Sequence, residues 1–225
     1  MSYNYQARFK FTSTIWALLL VFVAAGTLAA CGSNTSGDAR VVKGLAAFDA
    51  QDYPLAAHEF EQAIRLGVVD YKLAEIYTVL GRAYEGTGQF DKAIAAYQKA
   101  TEVDPNYYKA WVNLGVAHRL TGNLEQAEKS YNQALIIEPN YAELHASLGA
   151  LHIFKNNPEK ALQSLSRAIS LDPQLAVAHA NIAVAYAMLG QFDLSDAELE
   201  QATALGYPNA AIIKARINAL KTLEE

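Results

Sequence analysis

One cysteine, Cys31, and five histidines, His58, His118, His145, His152 and His179, are the side chains of this 225-residue chain best suited to nucleophilic or metal chemistry. A thiolate is a strong nucleophile, but Cys31 has no second cysteine to pair with, so no internal disulfide is expected. His118 and His152 are separated by 34 residues, and so are His145 and His179. Such pairs admit a metal site or proton relay, or else one planar side chain standing in for another at a helix interface. Metal ligands converge within one or two turns, often with an acidic partner, and equivalent positions 34 residues apart do not. Tyr107 and Tyr108 resemble a stacking platform, yet Tyr107 recurs as Tyr141 after a proline, which points to packing. Asp91 and Glu125 read as acids at helix N-termini, where the dipole favours them. No G-x-G-x-x-G, G-x-x-x-x-G-K-[ST] or H-E-x-x-H occurs. No catalytic constellation, cofactor or metal is expected.

The elements that carry these residues repeat. Pro105, Pro139 and Pro173, in VDPNY, IEPNY and LDPQL, are each 34 residues apart. Alanine pairs precede them at Ala93/Ala100, Ala127/Ala134 and Ala161/Ala168, with Ser195/Ala202 in a fourth unit. Earlier in each unit come Tyr77, Leu80, Gly81, Tyr84; then Trp111, Leu114, Gly115, His118; then His145, Leu148, Gly149, His152; then His179, Ile182, Ala183, Tyr186. Period and residue types together resemble the tetratricopeptide repeat (TPR), W-x₂-L-G-x₂-Y, then A-x₃-F, then Pro. The resemblance implies two antiparallel helices per unit. Small residues such as Gly81 and Ala93 allow close approach, and Leu80, Tyr84 and Tyr97 fill the space beside them. Gly88, Gly122, Asn156 and Gly190 fall at the inter-helix turns, where a left-handed conformation is needed.

Upstream, Ala56, Phe60 and Ala63 repeat the spacing of Ala93, Tyr97 and Ala100 with a shift of 37, so residues 38–70 read as a degenerate first repeat. Full repeats follow at 74–107, 108–141, 142–175 and 176–209. Past them, Ile213, Ile217 and Leu220 share one face of an amphipathic helix over 210–225, which would cap the bare end of the stack. A membrane-surface helix is the alternative, though the polar face lacks a basic cluster. The expected fold is all-α, a right-handed TPR solenoid of about five helix pairs with a C-terminal capping helix.

The N-terminal segment has a different composition. Arg8 and Lys10 are its only charges and precede an apolar run from Ile15 to Ala30, too short for a comfortable membrane span. This describes an export signal. Leu28-Ala29-Ala30-Cys31 resembles the bacterial lipobox, which implies cleavage after residue 30 and acylation of Cys31; a plain signal peptide or an uncleaved anchor stays open. Two or more acyl chains would make anchoring stable. Residues 31–39 then form a lipidated, flexible tether and 40–225 the repeat domain. Gly32 is not the Asp that retains some lipoproteins in an inner membrane, so the outer membrane is favoured where one exists. Without residues 1–30 the 18 basic residues fall to 16 against 23 acidic ones, a formal charge of −7. That balance argues against nucleic acid and anionic headgroups as partners.

The resemblance also implies that each first helix lines a concave groove for a protein or peptide partner. The residues expected there include Thr78 and Arg82; Lys109, Val112, Asn113 and Val116; Ala146, Ala150 and Ile153; and Val177, Asn181 and Val184. Glu75, Glu85, Arg119, Glu143 and Ala180 belong to the same faces. The groove runs from charged to apolar, fitting an extended segment or amphipathic helix with one polar and one apolar end. Small residues there could equally avoid crowding in a curved stack. The Lys/Asn clamp of chaperone-binding TPR domains is not matched by Thr78/Arg82, Val112/Val116, Ala146/Ala150 or Ala180/Val184. Together these readings imply a membrane-anchored scaffold that assists an envelope complex, or an anchored accessory subunit carrying clients to a separate enzyme.

Overall fold

The structure, a computed structural model, describes residues 37–222. These residues form eleven α-helices and, among the described residues, no strand. Five helix pairs follow in chain order: α1 (Gly37–Asp49) with α2 (Tyr53–Leu66), α3 (Leu73–Gly86) with α4 (Phe90–Val103), and α5 (Tyr108–Leu120) with α6 (Leu124–Ile137). Next come α7 (Ala142–Phe154) with α8 (Pro158–Leu171) and α9 (Ala176–Met188) with α10 (Phe192–Ala204). A final α11 (Ala210–Lys221) packs on α9 and α10. Each helix pair packs on the next, giving the expected solenoid.

The packing explains the periodic residues. A Cβ added at Gly81 would lie 2.5 Å from the Tyr97 ring, and one at Gly115 would lie 2.4 Å from the Tyr131 ring. At Gly149 the obstacle is Leu165, at 2.4 Å. In the first four pairs, therefore, the large residue of the second helix lies against the bare glycine backbone of the first. Tyr97, Tyr131, Leu165 and Phe60 are fully buried as a result. In the last pair Ser195 replaces the alanine, and its buried hydroxyl donates to the Ala183 carbonyl at 2.8 Å. Burying a hydroxyl is tolerable only with such a partner.

Chain reversals within the pairs use a left-handed residue. Glycine serves in three of them; Asn156 (φ 53°) and Gln51 (φ 61°) serve in the others. Gln51 lies 37 residues before Gly88, matching the offset of the degenerate repeat. Capping side chains complete two second helices: Asp52 Oδ1 accepts from the Leu55 amide at 3.2 Å, and Asn157 Oδ1 accepts from the Lys160 amide at 3.4 Å.

α1 begins at Gly37, three residues before the expected start of the repeat domain at residue 40. Asp38 accounts for the difference. Its carboxylate accepts from the amides of Val69 and Asp70, at 3.0 and 3.3 Å, and so ties the start of α1 to the α2–α3 connector. Arg40 adds an ion pair to Glu59 on α2 at 2.9 Å.

Candidate partner-binding groove

The first helices touch one another, α3 with α5, α5 with α7 and α7 with α9, while no comparable contact joins successive second helices among the described residues. The stack therefore has its inner side along α1, α3, α5, α7 and α9. On that side Arg82 and Lys109 are exposed or nearly so, and Val112, Asn113, Val116, Ala150, Val177 and Asn181 are half-buried. On α1 the exposed Val42 and Leu45 stand 37 residues before Val79 and Arg82 and so extend the same face.

Four expected groove residues are placed differently. Thr78, Ala146, Ile153 and Val184 are 4%, 3%, 5% and 1% exposed and offer a partner almost no surface. The Thr78 hydroxyl donates to the carbonyl of Ala74 one turn earlier, at 2.8 Å. Ala146, Ile153 and Val184 join Leu165 and Ile182 in the core where α7 meets α9. Small side chains let those two helices approach directly, which buries the groove-side residues between them. The groove is thus most open over α1, α3 and α5. Cys31 lies outside the described residues.

The open part carries a charged row that crosses four helices. The Arg82 guanidinium lies 4.8 Å from the centre of the Phe48 ring of α1, and the Arg119 guanidinium lies 5.2 Å from that of Phe154 of α7. Between the arginines, Glu85 is half-buried. Burial pushes its carboxyl up to about 7, against the pull of Tyr97, Arg82 and Arg119 in the other direction. The Tyr97 hydroxyl, from α4, reaches this carboxylate without full hydrogen-bond geometry and is itself raised well above the ordinary phenol range, by burial first and by Glu85 second. Sequence reasoning placed Glu85 and Arg119 on the groove but missed Phe48 and Phe154. Both are large apolar residues near a first-helix C-terminus, outside the packing motif. That position is the signal that could have found them.

Four of the five histidines sit at packing positions of the repeat, and His58 is exposed on α2. His145 Nε2 is 2.8 Å from the carbonyl of Pro139 and His179 Nε2 is 3.1 Å from that of Pro173; Trp111 Nε1 donates in the same way to Pro105 at 2.8 Å. A ring nitrogen facing a carbonyl carries the proton, so in three successive units one planar donor ties the first helix to the preceding turn. His179 also meets the Glu198 carboxylate through Nδ1 at 2.7 Å. His118 and His152 take the tyrosine position of the repeat, and burial holds both below the usual imidazole range. Among the described residues no three of His, Cys, Asp and Glu gather where a metal could be held, and no helix is long and apolar enough to cross a membrane. Cavities of about 590 and 520 Å³ lie away from the inner face: one beside Leu199 and Lys214, between α10 and α11, the other beside Trp111 and His118.

Comparison with known families agrees with this geometry. Tetratricopeptide-repeat models match residues 38–106 and 78–143, and a TPR repeat model matches residues 155–190. No curated protein sequence matches the chain. Among solved structures, TTC0263, a thermophilic TPR protein of Thermus thermophilus, is 22% identical with a TM-score of 0.65, over 83% of this chain and 100% of that one. MamA from Desulfovibrio magneticus RS-1 is 15% identical with a TM-score of 0.64, over 75% and 94%. A chain of the APC/C hetero-tetramer Cut9–Hcn1 is 18% identical with a TM-score of 0.74, over 86% of this chain and 38% of that one. At these identities the likeness is one of fold.

Proposed function

We propose that this array of tetratricopeptide repeats is a scaffold that holds a protein partner in its inner groove and is fastened to a bacterial envelope membrane through acylated Cys31. The fold is that of protein–protein interaction scaffolds, which are generally not catalysts. The observation that carries the groove assignment is the open inner face over α1, α3 and α5, where apolar Val42, Leu45, Val112 and Val116 stand beside Arg82, Lys109 and Asn113. Apolar surface interleaved with donors suits a segment that buries one face and bonds with the other. The Asn113 amide can donate to and accept from a bound backbone at once.

The membrane part of the proposal rests on the sequence Leu28-Ala29-Ala30-Cys31 after a basic start and a short apolar run. Assisting assembly of an envelope complex follows as the role for a scaffold so placed. The alternative is an accessory subunit that ferries clients to a separate enzyme. Affinity capture from detergent-solubilised envelope tests both readings. Recovery of one stoichiometric assembly is expected for the scaffold, whereas a scatter of weak clients would favour the carrier. Capture should fall in Val116→Glu, which alters the half-buried groove face, and unchanged capture would overturn the groove assignment. Val184→Glu is unsuitable for this purpose, because that side chain is core. Labelled palmitate should enter the wild-type chain and not Cys31→Ala; no incorporation into wild type would remove the anchor.

A further inference from the structure

Five side chains from four successive first helices line up on the open part of the groove as aromatic, cation, acid, cation, aromatic: Phe48, Arg82, Glu85, Arg119 and Phe154. Each guanidinium has one face on a ring, which orients it and leaves its N–H edges as the available donors. Arg119 is 7% exposed, and its Nε has no hydrogen-bond partner. Glu85 forms an ion pair with neither arginine, although both lie close enough to act on it. A buried guanidinium with an unsatisfied donor is costly. The row therefore holds more positive charge and more donors than its one carboxylate uses.

We propose that a carboxylate side chain of the bound partner enters this row at the exposed Arg82, drawn there by the combined charge of Arg82 and the buried Arg119. This deepens the groove assignment and rests on it. The occupant is an Asp or Glu side chain of an acidic segment, since the row sets two guanidinium ions against one carboxylate. Planar guanidinium edges match a carboxylate in two-point hydrogen bonding, which lysine would not supply. Glu85 is the internal carboxylate that competes for the same donors.

That competition makes binding depend on pH. The groups that face Glu85 are Arg82 from α3, Tyr97 from α4 and Arg119 from α5. From α2, on the other side of α3, Glu61 accepts from Tyr84 instead. Protonating Glu85 leaves both arginines without a counter-charge and so strengthens their hold on a partner carboxylate, which stays ionised down to about pH 4.

The test uses the full chain in detergent and two labelled peptides of Ala, Leu and Glu or of Ala, Leu and Gln, with binding read by fluorescence anisotropy near pH 6 and pH 8. The Glu peptide should bind about five- to tenfold tighter than its Gln counterpart. That preference should be larger at the lower pH. Arg82→Gln, at an exposed position, should remove the preference, while Glu85→Gln should keep it and abolish its pH dependence. Circular dichroism checks that both variants are folded. Equal binding of both peptides, or a preference that survives Arg82→Gln, overturns the carboxylate port and leaves the groove standing. Binding of neither peptide overturns port and groove together.

Discussion

Glu85 places an acid where the repeat needs none, and the consequence for stability has a definite sign. In the unfolded chain this carboxyl titrates near its ordinary 4.5, and in the folded protein at about 7. Between those values the native state keeps a proton that the unfolded chain has released, so stability falls as pH rises through this window and then levels. Glu85→Gln should remove that slope and stabilise the fold by about 1–3 kcal/mol near pH 8, with little change near pH 4. Urea unfolding of both proteins at the two pH values measures it. Equal midpoint differences at both would mean that the carboxyl is not held in its neutral form. His118 and His152 act in the opposite sense, because burial lowers both and stability is lost as pH falls from the usual imidazole range. Their contribution is common to both proteins and cancels in the difference. Residue by residue, the sequence showed which side chains pack and could not show which charges lose water. Arg119 and Glu85 stand at equivalent positions on successive first helices, yet only the three-dimensional crossing sets Arg119 over the Phe154 ring and Glu85 within reach of both arginine charges.

At the level of the helix pair, the crossings at Gly81, Gly115 and Gly149 leave no room for an extra atom on the first helix. Gly115→Ala would put a Cβ 2.4 Å from the Tyr131 ring, a distance real Cβ atoms do not adopt. Tyr131 is fully buried, so its ring has no free space to move into. Overpacking of this kind should destabilise by about 1–3 kcal/mol, the better helix propensity of alanine notwithstanding. At Gly122 an added Cβ meets nothing within 4 Å, but φ is +81°. Gly122→Ala should therefore lose about 1 kcal/mol through backbone strain alone. Thermal unfolding of the two variants ranks them. A Gly115→Ala protein as stable as wild type would mean that the pair can slide apart. The 34-residue rhythm made this level legible, since glycine and tyrosine recur in register and helix boundaries follow from turn residues and prolines. The buried fate of Thr78, Ala146, Ile153 and Val184 was not legible. A periodic pattern identifies the face a residue occupies and says nothing of how closely the neighbouring first helix approaches. α7 and α9, rich in alanine, come into direct contact and enclose what a looser stack would leave open.

Across the whole molecule, repeats that touch only their neighbours make stability a sum of local terms, and the two ends behave differently. At the C-terminal end α11 buries Ile217 completely against Ala183, Ala187 and Leu199, and Lys214 and Lys221 both hold Asp196 of α10, at 2.7 and 2.8 Å. Those lysines keep the Asp196 carboxyl below its usual range, although such exposed pairs contribute little. The apolar contact is the stronger attachment, at about 1.5–3 kcal/mol for a fully buried isoleucine. A chain that stops before Ala210 should expose α9 and α10, and in a quasi-one-dimensional stack the loss should fade with distance. Amide exchange should rise about tenfold or more in α9 and α10 and remain unchanged in α1 to α4. Ile217→Ala should produce the same gradient in milder form, which separates loss of packing from loss of chain length. Uniform acceleration along all the helices would show a single cooperative unit instead. Because the open groove over α1, α3 and α5 lies at the far end from this cap, partner capture by the truncated protein should persist even as its last repeat frays.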